Sequence, residues 1–172
     1  MHKSDLSLAN NVSDGLMRSA AWIRSADKTD VNTGSWKSGR MPKTIVRTKA
    51  PYVLSGSWSW RVVTFKFEGD DYTLLIAHRA ERTDFMAMLV HVGQEATILC
   101  RLEHHGSHPG WHVHYQAQRP FVSGVTTFPH WRKRYCGGDS AFKADVVSGF
   151  EPWAMTLANR LFCFQPHDDE LL

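Results

Sequence analysis

Strand-length segments rich in hydrophobic residues follow one another between residues 52 and 116, and in several of them hydrophobic and polar residues alternate, which is typical of β-strands. Polar or glycine-containing connections divide this region into five segments: 52–67, 72–79, 84–92, 96–103 and 111–116. Because such short connections join antiparallel neighbours, the pattern predicts a β-meander of about five strands. In the first segment the apolar positions change from even to odd numbers, which predicts a β-bulge near Val62.

Two helices are predicted on either side of this meander. Residues 13–24 begin with a serine-aspartate cap and carry apolar residues at helical spacing, which predicts a short N-terminal helix. A second helix is predicted from Pro152 to about Phe162, because proline suits the first helical turn. Its expected buried face is formed by Trp153, Leu157 and Leu161. The predicted fold class is α+β, with the sheet packed on one side by the C-terminal helix and the short N-terminal helix.

The first fifty residues differ in composition from the rest of the chain. Residues 25–50 carry six lysines and arginines against two aspartates, and glycine and proline interrupt any periodicity. We therefore predict a short helix and a basic arm over residues 1–50, and an α+β domain with a histidine-rich hairpin over residues 51–172. The arm is either a solvated linker or a contact for nucleic acid. For residues 119–139, the sequence predicts irregular structure or one further short strand at Phe121–Phe128.

Composition excludes several classes of protein. The chain of 172 residues is 42% hydrophobic and 22% charged, which excludes a disordered or fibrous chain. Its 20 lysines and arginines against 17 acidic residues give a mild positive charge that permits binding to nucleic acid. Its apolar runs are too short for a signal peptide or a membrane span, and its three widely spaced cysteines predict no zinc ribbon or disulfide framework. We therefore expect a cytoplasmic protein.

The histidines are the clearest candidates for chemistry. Five of the ten histidines lie within residues 104–114. Alternate residues on a strand share a face, so His112 and His114 leave the same face of the last predicted strand. The apolar residues between and beside them, Val113 and Tyr115, are expected to face the core. Both imidazole rings are therefore expected outside the core.

Arg101 and Glu103 lie on the polar side of the preceding strand, on which apolar residues from Ile98 to Leu102 alternate toward the core. Directly opposed residues in an antiparallel pair share a face. The tightest plausible register sets Glu103 opposite His112 and Arg101 opposite His114. We therefore expect two imidazoles, one carboxylate and one guanidinium in a single patch.

Such a patch supports two chemistries, and the sequence leaves both open. In the first, His112 and His114 bind one divalent metal ion with a third ligand such as His108, and Glu103 acts as a base or orients a ligand. In the second, no metal is bound, the two histidines act as general acid and base, and Arg101 binds an anionic substrate. In both, the candidate catalytic residues are His112, His114, Glu103 and Arg101.

A basic, aromatic cluster is the second candidate for substrate binding. It consists of Trp131, Arg132, Lys133 and Arg134. Positive charges bind phosphates and an aromatic ring stacks on bases, so the cluster is typical of a nucleic-acid contact. Three adjacent charges on a loop are also common as solvated residues.

The order of these features is similar to that of small uncharacterised prokaryotic proteins. Those proteins carry an Arg-Leu-acidic strand, a Gly/His loop and a His-x-His-aromatic strand. Here ILCRLE, HHGSHPG and WHVHY follow one another within residues 72–116, with the matching positions occupied by Arg101, Glu103, His112 and His114. The resemblance implies a bacterial or phage-related protein in a toxin-antitoxin or antiviral defence setting.

Two functions from different classes stay open. The first is a small hydrolase, of the nuclease or phosphodiesterase type, that acts on a phosphodiester or nucleic acid through the His/Glu/Arg patch. The second is a non-catalytic module, such as an antitoxin-like or regulatory subunit, that binds nucleic acid, a protein partner or a second copy of itself. The first needs the histidines, whereas the second does not. Neither predicts contact with a membrane.

Overall fold

The computed structural model describes residues 27–47, 53–82, 84–94, 96–104, 111–116, 131–137 and 150–164. Within these residues, eight strands form one antiparallel sheet. The strands are β1 (Thr29–Thr33), β2 (Lys37–Ser38), β3 (Ser59–Phe67), β4 (Asp70–Arg79), β5 (Asp84–Val92), β6 (Thr97–His104), β7 (Trp111–Gln116) and β8 (Trp131–Gly137). A short 3-10 helix (Ala80–Arg82) joins β4 to β5, and the helix α1 spans Phe150–Phe162.

The strand order across the sheet is β1-β3-β4-β5-β6-β7-β8, and β2 pairs with β3. The five predicted segments correspond to β3 through β7, each antiparallel to the next, so the predicted meander is confirmed. The predicted helix at residues 13–24 and the alternative strand at Phe121–Phe128 lie outside the described residues.

Each face of the sheet carries its own apolar core. On the helix-side face, strand residues pack against α1; this core includes Val63, Leu74, Ile76, Leu89, Ala154, Leu157, Ala158 and Phe162. On the opposite, arm-side face, strand residues lie beneath the segment between β2 and β3; this core includes Trp60, Leu75, Met86, Met88, Met41, Val46 and Leu54. The sequence predicted packing on one side only, and the second core is a correction to that prediction.

The predicted bulge near Val62 is absent from the pairing of β3 with β4. Their register is unbroken over Ser59–Phe67. The first half of β3 buries Trp60 in the arm-side core, and the second half buries Val63 and Phe65 in the helix-side core. The prediction assumed one buried face, whereas a strand covered on both faces can change its apolar parity without a bulge.

One register shift falls in β6 instead, at Leu99. Ile98 packs in the arm-side core, so the prediction that it shares the face of Leu102 is wrong. After this bulge the residues of β6 pair regularly with β5 as far as His104. The regular part of β6 contains the candidate site residues.

The described part of the predicted arm belongs to the fold. Both β1 and β2 pair with β3, and Met41 and Val46 are buried, with exposed fractions of 1% and 0%. The side chains of β1 and β2 are mostly exposed, so hydrophobic alternation did not predict these strands. Their pairing with β3 depends on backbone hydrogen bonds, supplemented by Lys37, whose ammonium lies 5.3 Å from the centre of the Trp60 ring.

The helix α1 covers the helix-side face. Its buried residues recur at intervals of three and four positions: Ala154, Leu157, Ala158 and Phe162. Cys163 ends the helix with a φ of 47°, and its amide donates a hydrogen bond of 2.7 Å to the Asn159 carbonyl. The side chains of Trp153 and Leu161, predicted to be buried, lie outside the described part of the structure. No helix among the described residues is long and apolar enough to cross a membrane.

Candidate functional site

Polar residues continue the arm-side face from β5 across β6, β7 and β8. The first cross-strand row consists of Met86, Glu103, His112 and Tyr135. The adjacent row consists of Met88, Arg101, His114 and Lys133. The predicted register, with Glu103 opposite His112 and Arg101 opposite His114, is confirmed.

Apolar residues on the other face account for this register. Leu102 pairs with Val113, and both side chains are fully buried in the helix-side core. A slip of one residue would move one of the two strands' apolar side chains to the arm-side face. The burial of Leu102 and Val113 therefore keeps Glu103 and His112 on the same, arm-side face.

The carboxylate of Glu103 is the centre of the cluster. Its Oε1 lies 3.0 Å from Nε of Arg101. Its Oε2 lies 3.5 Å from Nε2 of His112 and 3.6 Å from Nε2 of His114. The two imidazole rings have centres 5.2 Å apart and planes at 79°. One carboxylate oxygen therefore contacts a guanidinium, while the other lies between two imidazoles.

The cluster is partly withdrawn from water. The side chains of Glu103 and Arg101 are 14% and 25% exposed. Burial raises the pKa of Glu103, but a long hydrogen bond from His112 and the positive charges of Arg101, His114 and His112 together lower it further, so the net shift is downward. The carboxylate is therefore ionised at neutral pH.

His112 corrects the prediction that both rings lie outside the core. Its side chain is 1% exposed, whereas that of His114 is 20% exposed. The prediction took the polar face of β7 as a face open to water. This face instead continues the arm-side core, with Met86 in the same row as His112.

Three groups in the cluster are close enough together to hold one metal ion. Glu103, His112 and His114 each bring one ligand atom within 4.8 Å of the others, and no second such group occurs among the residues that the structure describes. Two imidazole nitrogens and one carboxylate oxygen are a ligand set found at catalytic zinc sites. His108, the third ligand considered from the sequence, lies outside the described residues.

The basic cluster lies on a strand, where the sequence suggested a loop. Lys133 pairs with His114, and Trp131 stands two residues away at a position on the same face of β8. Arg132 and Arg134 occupy the alternate positions, on the helix-side face. Of the three basic residues, the register therefore brings only Lys133 to the row of Arg101 and His114.

Two further residues, Tyr135 and Asp84, occupy positions on the arm-side face that the sequence did not assign to the cluster. Tyr135 pairs with His112 from β8, so a phenol-bearing residue stands beside the cluster. Asp84 is buried on β5, two residues before Met86, and forms an ion pair with Arg79. For Tyr135, the signal in the sequence is its spacing of two residues from Lys133, which would place both residues on one face of a strand. The apolar alternation that would predict a strand is missing there.

Two other buried histidines belong to the helix-side face. His78 and His104 both pair with Phe85, from opposite sides. The ring of His78 meets Trp36 edge-on at 5.0 Å, and burial lowers the pKa of His78 to about 4. His78 is therefore neutral at physiological pH, and the sheet separates it from the Glu103 cluster.

Comparisons with known proteins do not indicate what this cluster does. No family model, no curated protein and no solved structure matches the chain. The resemblance to small prokaryotic proteins therefore stays a prediction, as does the toxin-antitoxin or defence setting that it implies. The geometry of the Glu103 cluster is the basis on which a function is proposed.

Proposed function

We propose that the protein is a small hydrolase that cleaves a phosphodiester, such as a nucleic-acid backbone, at the cluster of Glu103, His112 and His114. The observation that carries this proposal is the position of one carboxylate oxygen 3.5 Å and 3.6 Å from two imidazole nitrogens. Groups of this kind activate water by moving protons or by holding a metal ion. Paired strands present them more rigidly than loops would.

Positive charge beside the cluster supports an anionic substrate. Arg101 is 25% exposed, so its guanidinium can contact a ligand while it pairs with Glu103. Lys133 stands opposite His114 in the register of β7 and β8. Arg101 and Lys133 occupy positions in the same cross-strand row, and positively charged residue types suit the charge of a phosphodiester.

Hydrolysis at the cluster requires a balanced set of bond changes. A water oxygen forms a bond to phosphorus, and the bond from phosphorus to the leaving alcohol breaks. One proton leaves the attacking water, and one proton reaches the leaving oxygen. Either one imidazole accepts the proton of the water and the other donates a proton to the leaving oxygen, or a bound ion would lower the pKa of the water and solvent would carry the protons.

The test is hydrolysis of bis(p-nitrophenyl) phosphate and of labelled single-stranded RNA and DNA. Glu103→Gln and His114→Ala are expected to lower kcat/KM at least about 100-fold. The matched control is His91→Ala, because His91 also lies beside a carboxylate, at 3.4 Å from Asp70, but outside the cluster. Full activity in both cluster variants, or equal loss in the control, would overturn the proposal.

A module that binds nucleic acid without cleaving it is the second candidate. Burial of Met41 and Val46 anchors a segment on which Arg40 and Lys43 are exposed, so their charges are presented from a fixed backbone. Such binding would survive the loss of His114. Unchanged binding with no detectable hydrolysis would therefore favour this candidate.

The cytoplasmic location and the toxin or defence setting are also part of the proposal. Toxicity in cells is the phenotype that corresponds to this setting.

A further inference from the structure

We propose that Glu103, His112 and His114 bind one divalent transition-metal ion of the zinc type. The ligand atoms would be Oε2 of Glu103 and Nε2 of each histidine. The third ligand would then be the Glu103 carboxylate on β6, in place of a histidine such as His108 from the connection between β6 and β7. The catalytic role of the ion rests on the function proposed above, whereas the binding itself does not.

The separations of the Glu103 oxygen from the two histidine nitrogens suit ligands of one ion, and all three groups offer ligand atoms within 4.8 Å of one another. In a tetrahedral site with bonds of about 2.1 Å, ligand atoms are separated by about 3.4 Å. Oε2 of Glu103 lies 3.5 Å and 3.6 Å from Nε2 of His112 and His114. Charge-assisted hydrogen bonds are shorter, at about 2.7–2.9 Å. The carboxylate oxygen therefore keeps the separation from both imidazoles that a shared ion requires.

Arg101 forms an ion pair with the carboxylate oxygen of Glu103 that the two imidazoles do not contact. Its Nε lies 3.0 Å from Oε1 of Glu103, so Oε2 is the oxygen that lies near the imidazoles. A fixed partner on one oxygen of a ligating carboxylate orients the other oxygen and restricts it to one bond with the ion. Arg101 is therefore a positioning residue for Glu103.

The strands supply three ligands, of which one, His114, is partly accessible to solvent. Glu103 and His112 face each other across β6 and β7, and His114 follows two residues further along β7. His114 is the most exposed of the three, with 20% of its side chain accessible. Three protein ligands and a solvent-accessible side distinguish catalytic zinc sites from closed structural sites.

An ion bound here would supply the nucleophile for the proposed reaction. Water bound to zinc ionises near neutral pH and releases a proton to solvent. The resulting hydroxide forms a bond to phosphorus, the bond to the leaving oxygen breaks, and that oxygen takes a proton from solvent. Arg101 and Lys133 would bind the phosphate beside the ion.

Direct metal binding tests the inference. Full-length protein without a purification tag is treated with EDTA, dialysed and titrated with Zn²⁺ by calorimetry and with Co²⁺ by visible absorption. We expect one equivalent of each ion and Co²⁺ bands of a four- or five-coordinate site. Glu103→Gln and His114→Ala should weaken binding more than about 100-fold, and Arg101→Gln about 10-fold with partial recovery in Arg101→Lys. His91→Ala should bind like the unaltered protein.

The variants are chosen so that each result is decisive. Glu103 and His114 are partly exposed, so circular dichroism is expected to show that Glu103→Gln and His114→Ala remain folded. A folded protein that binds no stoichiometric Zn²⁺ or Co²⁺, or cluster variants that bind as tightly as His91→Ala, would overturn the inference. Metal binding without phosphodiester cleavage would overturn the proposed function alone. Cleavage at full rate by the metal-free protein would overturn the catalytic role of the ion, whereas the binding itself is decided by the Zn²⁺ and Co²⁺ titrations.

Discussion

Glu103 and His112 face each other across β6 and β7, yet the carboxylate is 14% exposed and the imidazole only 1%. His112 is therefore the buried member of the pair on the arm-side face, and Glu103 is the member that solvent can reach. A buried polar group that loses its partner costs about 1–3 kcal/mol of stability. Replacements at this pair are expected to lower both the stability of the fold and the hydrolytic activity. Replacements at His114 should lower the activity with little effect on stability.

His112→Ala and His114→Ala are expected to differ in stability but not in activity. Replacement of the buried His112 should lower the free energy of unfolding by about 2 kcal/mol, and replacement of the partly exposed His114 by less than about 1 kcal/mol. Each should abolish hydrolysis, and the double variant should lose little more, because the residues act as one unit. Urea denaturation and kcat/KM give the two readouts. Equal stability losses would contradict the burial of His112.

Leu157→Ala is expected to lower the free energy of unfolding by about 2–5 kcal/mol. Leu157 is 6% exposed and packs in the helix-side core. Thr156→Ala, at an exposed position of the same helix, is the matched control and should change stability by less than about 0.5 kcal/mol. Urea denaturation of both variants provides the comparison. A loss below about 1 kcal/mol for Leu157→Ala would mean that α1 contributes little to the core.

Stability should fall as the pH is lowered from 7.5 to 5 because of His78. Burial lowers the pKa of His78 from 6.5 to about 4, so between these values the unfolded chain binds a proton that the folded chain does not. The free energy of unfolding therefore rises with pH across this window, and about 1–2 kcal/mol is lost at pH 5. In His78→Leu this part of the pH dependence should disappear. An identical pH dependence in the variant would show that His78 does not contribute.

Charge reversal at Lys37, Arg40 and Lys43 tests whether the described part of the arm contacts nucleic acid. Each lost phosphate contact should reduce the salt slope of binding to a single-stranded oligonucleotide by about one. Arg40→Glu and Lys43→Glu should leave stability unchanged, since both side chains are exposed. Lys37→Glu should also cost up to about 1 kcal/mol, because it removes the contact with the Trp60 ring. An unchanged salt slope would mean that this segment serves only the fold.

Local patterns in the sequence were sufficient for the centre of the sheet and for the pairing at its site. β3 through β7 follow from strand-length segments separated by short polar connections, with β4 and β5 as near-continuous apolar runs. The apolar face of Leu102 and Val113 allows registers of one parity only, and the tightest of these sets Glu103 opposite His112. The outer strands were not predictable, because β1 and β2 expose most of their side chains and are held by backbone pairing with β3.

Only the tertiary structure decided which faces of the sheet are covered by other segments of the chain. The sequence identified which residues share a face but not which faces are covered, because coverage depends on segments far away along the chain. Met41 and Val46 pack on the arm-side face, so β3 changes its apolar parity without a bulge. His112, on the same face, is only 1% exposed. Similarly, Lys133 stands beside His114 because of the pairing of β8 with β7. Alternation is a property of neighbouring residues, whereas burial is a property of the packed chain.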